Sequence, residues 1–123
     1  MADWTISEGD ICFVEIPGSD REALKRFYGQ VFDWQFDDIP DMDYTMFKTS
    51  ENGVLGGFGR IFSEMTGPAV SFKVNGDLAS ALEKVKASGG EVLVAEKSLG
   101  DMGSIALIKD PAGNLITLSK DPD

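Results

Sequence analysis

The residue in this chain best placed to do chemistry is Glu15, a single carboxylate inside the otherwise apolar run Ile11-Cys12-Phe13-Val14-Glu15-Ile16. A carboxylate enclosed by apolar side chains has its pKa raised and can act as a base or as an anchor for a cation. Three roles stand open for it: a structural ion pair, contact with a ligand, and general-base catalysis. The chain contains no histidine and one cysteine. Transition-metal chemistry needs several nitrogen, sulfur or carboxylate donors at once, so no metal and no other cofactor is expected. Cys12 cannot form an intrachain disulfide, and its apolar surroundings mark it as a core thiol rather than a nucleophile.

Aromatic residues crowd the first half. Trp34, Phe36, Tyr44, Phe47, Phe58 and Phe62 fall on or beside predicted strands, and Phe72 follows in the second half. Strand alternation puts Tyr44 and Met46 on one face and Thr45 and Phe47 on the other. Tyr44 and Met46 are expected to face a ligand, with Phe47 in the dry layer under a helix, because a phenol has an apolar body and a polar tip. The cluster Gly56-Gly57-x-Gly59 lacks the strand–turn–helix context of a nucleotide loop. It reads as a site of close backbone approach or a widened wall. Met65 and Met102 read as packing or flexible rims.

The elements that carry these residues repeat. Sliding the chain on itself by 58 positions puts Glu15-Ile16-Pro17-Gly18-Ser19 on Lys73-Val74-Asn75-Gly76-Asp77 and Ala23-Leu24 on Ala81-Leu82. Lys73 is thus the counterpart of Glu15 and its expected ion-pair partner. Ser19-Asp20-Arg21-Glu22 has capping-box form, and Leu24, Phe27, Tyr28 and Val31 recur at helical spacing after it. A second helix begins near Asp77, with Leu78, Ala81, Leu82 and Val85 on its face, and stops at Gly89-Gly90. Strands are predicted at 11–16, 34–37, 44–49, 54–61, 69–74, 91–95, 104–109 and 114–120. Asp110-Pro111-Ala112-Gly113 forms a turn before the last. The fold class is therefore α+β: one domain over 1–123, made of βαβββ modules at 10–61 and 69–120 joined by a linker at 62–68, with curved mixed sheets and helices outside.

Phe13-Val14-Glu15-Ile16-Pro17, then Phe27-Tyr28-Gly29-Gln30-Val31-Phe32-Asp33-Trp34, then Asp110-Pro111-Ala112-Gly113-Asn114, resemble the vicinal-oxygen-chelate superfamily of glyoxalases, bleomycin-resistance proteins and extradiol dioxygenases. The resemblance implies a cup between the two sheets and, usually, a homodimer. Its metalloenzymes take ligands from the first, fourth, fifth and eighth strands. Here those positions hold Phe13, a fourth strand without a carboxylate, Ala69 or Ser71, and Thr117. Metal-dependent glyoxalase or dioxygenase activity is not expected.

The residues singled out for ligand contact are Phe13, Glu15, Tyr44, Met46, Phe58, Ser71, Lys73 and Thr117, with Glu15 the candidate catalytic group. Thr117 is expected to face the cup with Glu15, while Ile116 and Leu118 pack under a helix. A net charge of -10 opposes nucleic acid and anionic membranes and suits a cationic ligand. No apolar run is long enough to span a bilayer. Met1 to Thr5 lacks the pattern of a signal peptide. Single-cysteine usage fits a reducing, cytoplasmic location. The leading expectation is a metal-independent protein that binds a small organic molecule, as bleomycin-resistance proteins hold a cationic drug. The alternatives are a metal-free lyase or isomerase with Glu15 as general base, and a domain kept for partner or dimer contacts.

Overall fold

A computed structural model describes residues 7–59 and 61–122. The Met1–Thr5 stretch considered above, and Arg60 within the predicted fourth strand, lie outside the described residues. The first half runs β1 (Ile11–Ile16), α1 (Arg21–Val31), β2 (Gln35–Ile39), β3 (Tyr44–Lys48) and β4 (Leu55–Gly59). The second runs β5 (Ala69–Lys73), α2 (Leu78–Ala87), β6 (Glu91–Ser98), a short 3₁₀ turn (Gly100–Met102), β7 (Ser104–Lys109) and β8 (Leu115–Lys120). Each half is thus βαβββ, and the fold is α+β. No helix among the described residues is long and apolar enough to cross a membrane.

The chain divides into two compact units. The first is Phe13–Pro68. Its strands lie in the order β2-β3-β4-β1, antiparallel except for the parallel pair β1 and β4. Asp20 caps α1 by accepting a hydrogen bond from the Ala23 amide at 3.1 Å. The expected cap was Ser19, one residue earlier. Asp caps as well as Ser does, and its negative charge also meets the positive end of the helix dipole. The helix covers an aromatic layer. Tyr28 stacks on Trp34 with centroids 4.7 Å apart, Trp34 stacks on Phe47 at 4.6 Å, and Phe58 contacts Tyr28, Phe36 and Phe47. A polar network ties the start of α1 to the β2–β3 hairpin. Arg21 Nη1 donates to Thr45 Oγ1 at 2.9 Å, and Thr45 donates to Asp38 Oδ1 at 2.5 Å. Those bonds, with Lys25 also on Asp38, hold the Asp38 carboxyl below its usual range.

The second unit comprises residues 7–12 and 69–122 of the described chain. Its strands lie in the order β5-β8-β7-β6, antiparallel except for β5 and β8. Asp77 caps α2, accepting from the Ser80 amide and hydroxyl. Its core is Val74, Leu78, Leu82, Ala106, Ile108 and Leu118, with Phe72, Val85 and Ile116 packed against it. Ile116 and Leu118 therefore lie on the α2 side, as strand alternation required. In the 110–113 turn, Asp110 accepts from the amides of Ala112 and Asn114 and from the Asn114 side chain, all at 2.9 Å. Gly113 takes φ +87, a left-handed conformation that costs glycine no Cβ clash.

Candidate functional site

Glu15 sits in β1, opposite Gly57 of β4. Met46 of β3 stands opposite Gly57 from the other side. Residues paired across strands share a face, as do residues two apart. One face of the first unit therefore carries Phe13, Glu15, Met46 and Tyr44. Four of the residues singled out from sequence are brought together there. Glu15 is 3% exposed and Tyr44 2%. The Tyr44 hydroxyl donates a hydrogen bond to Glu15 Oε1.

That contact sets the electrostatics of the pair. Burial pushes the Glu15 carboxyl up to about 7, and the hydrogen bond from Tyr44 opposes part of the rise. Burial, together with the neighbouring carboxylate, drives the Tyr44 phenol well above its ordinary range. At neutral pH the phenol is a fixed donor and Glu15 stands near the midpoint of its titration. Such a pair can accept a proton or a hydrogen bond on the carboxyl while the phenol holds the group in place.

Phe58 does not join this face. It is fully buried in the aromatic layer beneath α1, on the other side of the strand from Gly57. The expectation that Phe58 lines the ligand face is corrected: it is one position out of phase with Glu15, and a one-residue step in a strand reverses the side chain.

In the second unit Ser71 and Thr117 are paired in register and their hydroxyls share a hydrogen bond, both side chains fully buried. They lie on the face opposite the α2 core, next to Leu107 and Ile105 of β7 by register. Lys73 is two residues from Ser71, on the same side. Its ammonium pairs with Asp121. In place of the expected Glu15–Lys73 ion pair, each residue has a partner within its own unit, Tyr44 for Glu15 and Asp121 for Lys73. Equivalence under the repeat assigns two residues the same place in their own units and names no partner for either. The partners that matter were reached by other routes. Tyr44 comes to Glu15 from two strands away, and Asp121 comes from beyond β8, where no spacing rule pointed. Cys12 is half-buried rather than buried, its thiol lying 3.6 Å from the Ser71 carbonyl oxygen, and desolvation pushes its pKa up.

The positions compared with metal ligands in the sequence hold a phenyl ring (Phe13) and a glycine-rich strand in the first unit, and two hydroxyls bonded to each other (Ser71 and Thr117) in the second. No group of three or more metal-binding side chains is assembled among the described residues. These residues do not fit the donor set of a zinc, nickel or iron centre.

With this geometry in hand, the likeness to known proteins is informative. Residues 11–50 match the family description "Bleomycin resistance protein-like N-terminal". The fold matches a glyoxalase/bleomycin resistance protein/dioxygenase superfamily member from Vibrio splendidus, with a TM-score of 0.62 at 16% identity over 92% of this chain and 99% of that one. The family match takes in β1, α1, β2 and β3 of the first unit, and the structural match is one of fold. Another structural neighbour is methylmalonyl-CoA epimerase from Mycobacterium tuberculosis, with a TM-score of 0.65 at 15% identity over 100% of this chain and 93% of that one. At these identities the vicinal-oxygen-chelate likeness is one of fold. In sequence, the chain is 26% identical to "Putative glyoxylase CFP32" of Mycobacterium bovis and Mycobacterium tuberculosis, over 90% of this chain and 45% of that protein. The chain spans less than half the length of these curated relatives.

Proposed function

We propose that this chain binds a small organic molecule without a metal ion, and that the ligand meets Glu15 and Tyr44 on the first unit. The observation that carries the reading is a buried carboxyl whose hydrogen-bond partner among the described residues is a neutral phenol. A carboxylate has about four acceptor positions, and Tyr44 uses one. Burying a charge without a counter-ion is costly, so the group favours a ligand that brings a positive charge or a hydrogen-bond donor. The net charge of -10 acts in the same direction by drawing cations toward the protein. The absence of nitrogen and carboxylate donors at the superfamily's ligand positions supports metal independence. A thermal-shift panel of small acids, aromatic metabolites and cationic antibiotics, run with and without chelator, tests the proposal. A ligand that binds the native state alone raises the melting temperature, and this account requires the rise to survive the chelator.

A second reading is favoured by one observation, the hydroxyl beside the carboxyl. Glu15 as its carboxylate would take a proton from a carbon next to a carbonyl, and the C–H electron pair would pass to the carbonyl oxygen as an enolate. Glu15 would then return the proton to carbon in an isomerase, or the electron pair would expel a leaving group in a lyase. A carboxyl poised near 7 suits a proton carrier at neutral pH. Neighbours described as methylmalonyl-CoA epimerases support this reading at the level of fold only. Its test is deuterium uptake from D₂O into a carbon acid from the panel, catalysed by the wild type and abolished in Glu15→Gln.

We also place the protein in the cytoplasm as a homodimer. The support for a dimer is the apolar end of α1 and the residue after it, where Phe27, Val31 and Phe32 are about half exposed.

A further inference from the structure

Gly56 and Gly57 stand side by side in β4, both buried. Adjacent strand residues point to opposite faces, so this pair leaves the backbone bare on both sides at one level. An aromatic side chain of β3 occupies each bare spot. A Cβ on Gly56 would strike Phe47, with Cε2 at 2.6 Å, in the layer under α1. A Cβ on Gly57 would strike Tyr44 at Oη, Cζ and Cε2. The Tyr44 ring thus lies directly over Gly57, and Gly57 is the residue opposite Glu15. Gly59 clears the other end of the ring: a Cβ there would sit 2.9 Å from Tyr44 Cδ1, and its φ of +127 is one that side-chain-bearing residues rarely adopt.

We infer that Gly57 is a positioning residue, whose missing side chain leaves the slot through which Tyr44 crosses β4 to reach Glu15. The strand itself has little freedom to give way, because β4 is paired with β3 on one side and β1 on the other. A methyl at position 57 must therefore move the ring, and the ring carries the hydroxyl. The double glycine divides its labour by face: Gly56 admits the aromatic layer, and Gly57 admits the phenol. This replaces the view of the cluster as a widened wall. The importance of the pair rests on the proposed function; the geometry does not.

The test is a titration of the Glu15 side-chain carboxyl by carbon NMR, with no ligand present, in the wild type, Gly57→Ala, Gly56→Ala and Tyr44→Phe. Gly57→Ala should raise the Glu15 midpoint by about one pH unit, as Tyr44→Phe does, because each removes a hydrogen bond that favours the ionised carboxyl. Adding Gly57→Ala to Tyr44→Phe should not raise it again. Gly56→Ala should lower the melting temperature and leave the midpoint unmoved. A Gly57→Ala protein that is destabilised but keeps the wild-type midpoint overturns the inference. If Gly57→Ala alone does not fold, Tyr44→Ala/Gly57→Ala must be as stable as Tyr44→Ala, since the ring that the methyl strikes is gone. A cost undiminished in that background also overturns it. Failure here leaves the ligand panel untouched, and failure of the panel leaves this geometry intact.

Discussion

The hydroxyl of Tyr44 donates to the carboxyl of Glu15 across the intervening strand β4, and both side chains are almost wholly buried. This fixes the sign of one pH effect. The Glu15 carboxyl stands at about 7 in the folded chain, against an ordinary value of 4.5. The folded state therefore holds the proton more tightly than the unfolded state does. Its stabilising contribution is complete below the ordinary value and is lost as pH rises through about 7, amounting to at most ~3 kcal/mol. Glu15→Gln should remove that fall, so the mutant should melt at or above the wild-type temperature at about pH 8. Denaturant unfolding of both proteins from mildly acid to mildly alkaline pH checks it. A difference between the two that does not change with pH contradicts it.

Ser71 and Thr117 should behave as a coupled pair. Thr117→Val leaves the Ser71 hydroxyl buried without its partner, which should cost about 1–3 kcal/mol. Ser71→Ala should do the reverse damage to Thr117. The double mutant should lose much less than the sum, because removing both polar groups leaves neither stranded. Additive losses in a double-mutant cycle count against the hydrogen bond.

Phe58 and Phe13 should separate by face. Phe58→Ala empties the centre of the aromatic layer and should cost about 3–5 kcal/mol. Phe13→Ala, at a half-buried position beside Glu15, should cost less. Chemical denaturation gives both values, and the opposite order means the face assignment is wrong.

Light scattering should give twice the chain mass of 13.3 kDa. Phe27→Glu with Phe32→Glu should return it to the monomer value, because two carboxylates on an apolar contact oppose association. A wild-type monomer at high micromolar concentration would contradict the dimer.

Much of this architecture was legible in the sequence. The apolar run 11–16, the 3.6-residue spacing after Ser19 and the Asp110–Gly113 turn located β1, α1 and the β7–β8 hairpin, because each depends on local pattern. Strand alternation alone put Tyr44 and Met46 on one face and Phe47 under the helix. The strand signal of β6 ends at Ala95, since the remainder, Glu96-Lys97-Ser98, is exposed and polar and follows register shifts. The Gly100–Met102 turn carries no apolar period at all. Site chemistry was less visible for a physical reason. The Tyr44–Glu15 bond depends on the strand order β3-β4-β1 and on a glycine between them, and the Lys73–Asp121 pair joins residues far apart in the chain. Neither contact has a sequence period.

The most direct measurement is the thermal shift produced by the most stabilising panel compound on wild type and on Glu15→Gln, in the presence of chelator. At about a hundredfold excess over its dissociation constant a native-state ligand adds roughly 2.7 kcal/mol. This account predicts that at least one cationic or hydrogen-bond-donating compound gives a wild-type shift of that order, and that Glu15→Gln loses most of it while remaining folded. A panel with no shift, or a shift of equal size in both proteins, would contradict it.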